Sequence, residues 1–145
     1  MIPLSAPSLK GNELKYLTEC IESEWISSAG PFVNRFEKEI ERYLDIPHAV
    51  ACVNGTAALH ISLLLCGVER EEEVIVPTLT FIAPINTVRY VGAEPVFMDC
   101  DDSLNLDPEK LSDFLKKECE KIDGGVRNRR SGRRIRAMIV VHVFG

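Results

Sequence analysis

The chain has 145 residues, of which 46% are hydrophobic and 27% charged, and its formal net charge is −5 at pH 7. This size and composition are typical of one globular domain with a real core, and the acidic balance disfavours nucleic acid as a partner. No apolar run is long enough to cross a membrane, no signal-peptide pattern is visible, and the five cysteines include no CxxC pair, so we expect a cytoplasmic protein without a metal site.

Helix and strand patterns alternate along the chain. The spacing of apolar residues predicts helices in "NELKYLTECIESEW" and "PFVNRFEKEIERYL", with the polar break "ISSAG" between them. The later elements are predicted in this order: a strand "HAVACV" (48–53), a helix over 56–66, a strand over 73–77, a helix from about Thr80 to Gly92, a strand over 94–99, a helix opened by Asp107-Pro108, and the strand "AMIVVHVFG". This alternation predicts an α/β fold with a mainly parallel sheet and helices on both faces.

An arginine-rich segment precedes the last predicted strand. The segment "GGVRNRRSGRRIR" (124–136) holds six arginines and no acid, while the rest of the chain carries 11 basic against 22 acidic side chains. It is interpreted as a solvated loop between a helix and a strand. The alternative is a surface that binds phosphate, nucleic acid or an acidic partner.

The stretch "ACVNGTAALH" (51–60) predicts a strand that turns into a helix at Asn54-Gly55-Thr56. An Asn-Gly hairpin would need a strand next, whereas Ala57 opens a good helix. The free N–H groups of a helix N-terminus form a natural anion site, and Thr56 adds a hydroxyl donor. The chain has no GxGxxG and no P-loop pattern, so a single phosphate fits the corner better than a pyrophosphate. Many corners of this kind bind no ligand, and that alternative stays open.

A second group of residues is predicted at the same sheet edge. The carboxyl ends of parallel strands meet there, which places Asn54, Thr78, Asp99 and His142 together. Phe81 follows the strand over 73–77 and could stack on a heteroaromatic ring whose phosphate lies at Thr56. The alternative is that Phe81 packs in the core, as aromatic residues beside strand ends commonly do.

Three segments resemble a known family in the same order along the chain. They are "EWISSAGPFVNRFEKEIERYLDIPHAVACVNGTAALHISLLLCGV", "EEEVIVPTLTFIAPINTVRYVGAEPVFMDCD" and "AMIVVHVFG". They are similar to the opening of the pyridoxal-phosphate-dependent nucleotide-sugar aminotransferases of the DegT/StrS family. The resemblance implies the fold type I aminotransferase architecture and a homodimer. It also implies transfer of an amino group from glutamate to a nucleotide-linked keto-sugar, in the biosynthesis of surface-glycan sugars. The arginine-rich segment resembles a longer form found in members that make precursors of nonulosonic acids, such as legionaminic acid.

The resemblance also implies roles for single residues. Gly55, Thr56 and Ala57 would hold the phosphate of pyridoxal 5'-phosphate through backbone N–H groups and the Thr56 hydroxyl, and Phe81 would stack on its pyridine ring. The loop of Ser28, Ala29 and Gly30 would lie near the sugar substrate. His142 would lie near the site, with packing as the alternative role.

The lysine that attaches the cofactor in family members, and the aspartate that pairs with the pyridine nitrogen, lie beyond the segment that matches "HVFG". None of the seven lysines in this sequence lies in a matching motif. Residues 1–145 are therefore expected to be the N-terminal portion of the large cofactor-binding domain, with no catalytic residue assigned and no activity by themselves. The alternatives are a non-catalytic phosphate- or cofactor-binding module of the same fold, and an interaction protein that uses the arginine-rich segment.

Overall fold

The computed structural model describes residues 6–28 and 30–143, and the chain divides after Ala51 into two compact units. Ala29 and the last two residues of the predicted final strand, Phe144 and Gly145, lie outside the described residues. The elements in chain order are helices α1 (Glu13–Glu22), α2 (Pro31–Leu44) and α3 (Gly55–Leu65), strand β1 (Glu73–Pro77), helix α4 (Ile82–Tyr90), strand β2 (Glu94–Met98), helix α5 (Pro108–Lys117), and strands β3 (Cys119–Ile122), β4 (Gly125–Asn128) and β5 (Arg134–Met138).

The N-terminal unit contains α1 and α2, both predicted from the sequence. The ring of Tyr16 in α1 packs against Phe32 in α2 with 6.0 Å between ring centroids. Arg35 stacks over the Tyr16 ring and donates a hydrogen bond of 3.2 Å to its hydroxyl oxygen. These contacts join the two helices at their aromatic side chains.

The strand predicted over 48–53 is wrong, because that segment is irregular. A strand needs a neighbour for its backbone N–H groups, and here carboxylates of α2 accept two of them. The Ala51 N–H donates to Glu37 at 2.8 Å, and the Ala49 N–H donates to Glu41 at 3.3 Å. Side-chain acceptors have replaced a strand partner in this segment.

The C-terminal unit is built on a five-stranded sheet in the order β2-β1-β5-β4-β3. β1 is parallel to both of its neighbours, β2 and β5, whereas β4 is antiparallel to β5 and to β3. The predicted α/β fold is confirmed, with a parallel part as expected. The antiparallel β3–β4 hairpin was not predicted.

Helices cover both faces of the parallel strands, as predicted. Side chains alternate along β1, so that Val74 and Val76 face one side and Ile75 faces the other. The first side packs against Leu63 of α3 and Val88 of α4. The second side packs with Met98 and Leu106 against α5, through Leu111 and Phe114.

The residues at the helix ends are the types that usually start and stop helices. Asp107 caps α5, since its carboxylate accepts hydrogen bonds from the N–H groups of Glu109 and Lys110 at 2.8 and 3.1 Å. Gly67 and Gly92 follow α3 and α4 with φ values of +68° and +76°, a backbone conformation that glycine adopts without strain.

The arginine-rich segment is not the solvated loop that was predicted, because β4 and much of β5 lie within it. Several guanidinium groups bind backbone carbonyl oxygens instead of water. Arg129 Nε donates to Cys119 O, and Arg136 Nε donates to Cys66 O, each at 3.0 Å. Arg134 donates to Gly124 O and lies 4.0 Å from the Glu72 carboxylate. These contacts fix the arginine side chains to neighbouring segments of the C-terminal unit.

Helix α3 consists mostly of apolar residues, yet many of its side chains are exposed in this chain. Of its described residues only Leu63 is buried, whereas Ile61, Leu64 and Leu65 are 47%, 54% and 83% exposed. None of the described helices is long and apolar enough to cross a membrane.

Candidate functional site

An open cleft of about 580 Å³ lies in the C-terminal unit, beyond the carboxyl ends of β1 and β5. This is the sheet edge at which α/β folds place their ligands. The described residues that line it are Gly55, Thr56, Leu59, Thr80, Phe81, Ala83, Pro84, Ile139, Val140, Val141 and His142. None of these carries an acidic side chain, so the lining presents no like charge to an anion.

The N-terminus of α3 forms one wall of the cleft. Asn54 caps the helix, and its side-chain oxygen accepts the Ala57 N–H at 2.8 Å. The N–H groups of Gly55 and Thr56 and the Thr56 hydroxyl make no hydrogen bond to any described residue. These three donors are therefore available to a ligand, whereas Ala57 would have to share its N–H with the cap.

Gly55 leaves room for a close approach to the backbone. A Cβ atom built at this position meets no atom of the described residues within 4 Å. The space above the first turn of α3 is therefore open, which is what a tetrahedral anion held by backbone N–H groups requires.

Phe81 lines the same cleft from a different element. It occupies the N-cap position of α4, and 85% of its surface is exposed. A core role for Phe81 is therefore wrong within this chain. Its ring is free to stack on a flat ligand.

The residues predicted at the sheet edge divide into two groups. His142 lines the cleft, whereas Asn54, Thr78 and Asp99 are not among its described lining residues. Lys110 donates to Asp99 at 2.6 Å, and this hydrogen bond lowers the pKa of that carboxyl. Asp99 therefore serves to hold α5 beside β2.

Thr80 is a lining residue that the sequence analysis missed. Its hydroxyl oxygen is buried and has no hydrogen-bond partner in the described chain. Its position immediately before Phe81 in "PTLTF" was the available hint.

The predicted substrate residues belong to the N-terminal unit. Ser28 is exposed, and a Cβ atom added at Gly30 would lie 3.2 Å from the ring of Trp25. Their proposed role towards a sugar stays a prediction.

Comparison with known proteins identifies the family. The sequence profile of the DegT/DnrJ/EryC1/StrS aminotransferase family matches residues 7–145. The chain belongs to this family. Its members are pyridoxal-phosphate-dependent aminotransferases, so the resemblance noted in the sequence is confirmed.

Individual family members are similar to this chain in sequence and in structure. The GDP-perosamine synthase of Caulobacter vibrioides is 41% identical over 145 residues, which cover 99% of this chain and 35% of that protein. A family aminotransferase from Brucella abortus superposes with a TM-score of 0.75 at 36% identity, covering 92% of this chain and 34% of the other. The Streptococcus pneumoniae protein Spr1654, assigned as a sugar aminotransferase and solved in its PLP-form, gives a TM-score of 0.69 at 32% identity, with coverages of 77% and 29%.

The chain therefore spans about a third of the length of the relatives it matches. The legionaminic-acid type suggested by the arginine-rich segment stays a prediction.

Proposed function

We propose that the cleft binds pyridoxal 5'-phosphate, and that the protein carrying it transfers an amino group from glutamate to a nucleotide-linked keto-sugar. The observation that carries this proposal is the convergence of Gly55, Thr56 and Phe81 on one cleft. Gly55 and Thr56 lie in the first turn of α3, and Phe81 is the N-cap of α4. These two helix starts are separated in sequence and line the same cleft at the carboxyl edge of the sheet.

The residues present fit the cofactor. Its phosphate needs several donors at a site without negative charge, and the two free N–H groups of α3 with the Thr56 hydroxyl supply them. Its ring needs a flat apolar surface, which the exposed face of Phe81 provides. The open space above Gly55 allows the phosphate to approach the backbone closely.

The bound cofactor would supply an electron sink for the carbon that gains or loses the amino group. In this chain Gly55 and Thr56 would anchor the phosphate, and Phe81 would fix the plane of the ring. The apolar side chains of Val140 and Val141, which also line the cleft, would exclude water from that ring. His142 would offer an imidazole nitrogen for a hydrogen bond at the cleft edge.

The substrate and partner assignments rest on the family. The relative from Caulobacter vibrioides is named a GDP-perosamine synthase, which supports a nucleotide-linked sugar as the amino acceptor. Ser28 and Gly30 are proposed to contact that sugar, and the pathway is proposed to make sugars for surface glycans. The protein is proposed to act in the cytoplasm as a homodimer.

For residues 1–145 by themselves we propose cofactor binding without amino transfer. The described residues that line the cleft include no lysine. Four of the lysines are instead paired with carboxylates: Lys15 with Glu19 at 3.8 Å, Lys38 with Glu41 at 2.7 Å, Lys110 with Asp99 at 2.6 Å, and Lys117 with Asp113 at 2.6 Å. Transamination needs an amine at the cofactor to carry the proton between substrate and cofactor.

The test is a titration of the 145-residue chain with pyridoxal 5'-phosphate, followed by borohydride reduction and peptide mass spectrometry. Turnover of a nucleotide-linked keto-sugar with glutamate is measured in parallel. We expect saturable binding, sub-stoichiometric labelling of scattered lysines, and no turnover. Failure to bind would refute the cofactor assignment. Stoichiometric labelling of one lysine with turnover would show that this chain already contains its catalytic amine.

A further inference from the structure

Thr80 has a hydroxyl group that the chain itself does not satisfy. The residue is half-buried in the loop between β1 and α4, and its Oγ1 atom is buried without a hydrogen-bond partner among the described residues. Most buried side-chain polar atoms in proteins are hydrogen-bonded, and an unsatisfied one opposes folding. The oxygen of Thr80 therefore calls for an explanation.

Thr87 shows the usual arrangement only seven residues later. It is fully buried in α4, and its hydroxyl donates to the Pro84 carbonyl oxygen at 2.9 Å. Both residues are threonines of the C-terminal unit, but among the described residues a hydrogen-bond partner is found for the Thr87 hydroxyl and not for that of Thr80. The difference between them is their position, because Thr80 lines the cleft.

We propose that Thr80 is a cofactor-binding residue whose hydroxyl hydrogen-bonds to pyridoxal 5'-phosphate in the cleft. This inference rests on the proposed function and adds to it a residue to which the family resemblance assigned no role. Threonine rotamers differ by about 120° in χ1, so the hydroxyl can turn to a ligand without movement of the backbone. Binding then supplies the hydrogen bond that the unliganded chain lacks.

This role predicts opposite effects on stability and on binding. Thr80→Val keeps the shape of the side chain and removes a hydroxyl that makes no bond in the unliganded protein. We expect the midpoint of chemical denaturation without ligand to stay the same or to rise. The affinity for pyridoxal 5'-phosphate, measured by fluorescence or calorimetric titration, should fall about tenfold.

Two variants make the comparison specific. Thr80→Ser retains the hydroxyl and should restore most of the affinity. Thr87→Val removes a hydroxyl that has a structural partner, so it should lower the denaturation midpoint and leave the affinity near that of the wild type.

Pyridoxal and inorganic phosphate are titrated as further probes. Weaker binding of phosphate by Thr80→Val would place the contact at the phosphate group, and weaker binding of pyridoxal would place it at the ring.

The outcomes separate this inference from the proposed function. If the wild-type chain does not bind pyridoxal 5'-phosphate, the proposed function itself fails. If the wild type binds and Thr56→Val weakens binding while Thr80→Val does not, only the role of Thr80 is refuted. A fall in the denaturation midpoint of Thr80→Val in the absence of ligand would also refute it, since the hydroxyl would then have a structural partner.

Discussion

At the scale of single residues, Thr56 provides the most direct test of the phosphate site. Thr56→Val keeps the side-chain shape but removes the hydroxyl donor, and a hydrogen bond to a charged group contributes about 1.5–3 kcal/mol. We therefore expect the affinity for pyridoxal 5'-phosphate to fall about ten- to a hundredfold. Equilibrium titration measures this change. Thr78→Val is the matched control, because Thr78 is exposed and is not a described lining residue of the cleft.

Gly55→Val tests the same phosphate site by placing a side chain in the space that the phosphate would occupy. A Cβ at this position meets no atom of the described residues within 4 Å, so the variant should fold like the wild type while its side chain occupies the space of the ligand. We expect affinity to fall at least as far as in Thr56→Val, with an unchanged circular dichroism spectrum and denaturation midpoint. Wild-type affinity in both variants would show that the phosphate lies elsewhere.

The Phe81 ring is predicted to stack on the cofactor. Phe81→Ala removes this surface and should weaken binding about twofold to tenfold and shift the absorbance of the bound cofactor, since stacked aromatic pairs contribute about 0.5–1.5 kcal/mol. Phe81→Trp keeps a stacking face and should retain most of the affinity. Ile82→Ala, a change at the next and also exposed residue, serves as the control. Equal affinities in the alanine and tryptophan variants would contradict stacking.

The lining of the cleft was predicted from the sequence where the pattern is local, whereas the roles of its residues towards a ligand stay predictions. The strand–glycine–helix pattern located Gly55 and Thr56, and the order of the strands placed Phe81 and His142 at the same edge. The sequence pattern could not show that the Thr87 hydroxyl has a hydrogen-bond partner while the Thr80 hydroxyl has none among the described residues. Whether a hydroxyl finds a partner depends on packing, which the sequence pattern does not encode.

At the scale of elements, local patterns predicted the helices and the strands β1 and β2. The strand predicted in "AMIVVHVFG" is wrong beyond Met138, because β5 spans Arg134–Met138 and residues 139–143 are irregular. Non-local pairing accounts for the other errors. The Asp107-Pro108 cap and the apolar periodicity are contained within a few residues. The segment over 48–53 has the composition of a strand, yet its N–H groups donate to Glu37 and Glu41. The β3–β4 hairpin was missed because "CEKIDGGVRN" carries charges and few apolar residues, so neither helical nor strand periodicity is strong.

The hairpin is fixed to β1 by a buried polar pair. Asn128 of β4 donates to the Glu73 carboxylate at 2.9 Å, and the two residues are only 8% and 4% exposed. Asn128→Ala leaves the carboxylate without this donor in a buried position, so the free energy of unfolding should fall by about 2 kcal/mol. Chemical denaturation measures it. Arg130→Ala, an exposed change in the turn that follows β4, should alter stability by less than about 0.5 kcal/mol. Equal effects of the two substitutions would show that the pair does not anchor the hairpin.

At the scale of the whole molecule, the C-terminal unit combines a small core with a large exposed apolar surface. Val74, Val76 and Val88 are fully buried, while Leu65 and Phe81 are more than four-fifths exposed. Exposed apolar patches of this kind mark surfaces that associate with other protein surfaces. The same surface on α3 supports the proposed homodimer.

We expect the 145-residue chain to associate in a concentration-dependent manner, and Leu65 to contribute to that association. Burial of a leucine side chain contributes about 1.5–3 kcal/mol, so Leu65→Lys should raise the concentration of half-maximal association about tenfold or more. Light scattering and sedimentation velocity measure it over a dilution series. Asp102→Lys introduces a lysine at an exposed polar position of a loop and should leave that concentration within a factor of about two. A chain that stays monomeric throughout the series, or a control that shifts as far as Leu65→Lys, would contradict an association surface on α3.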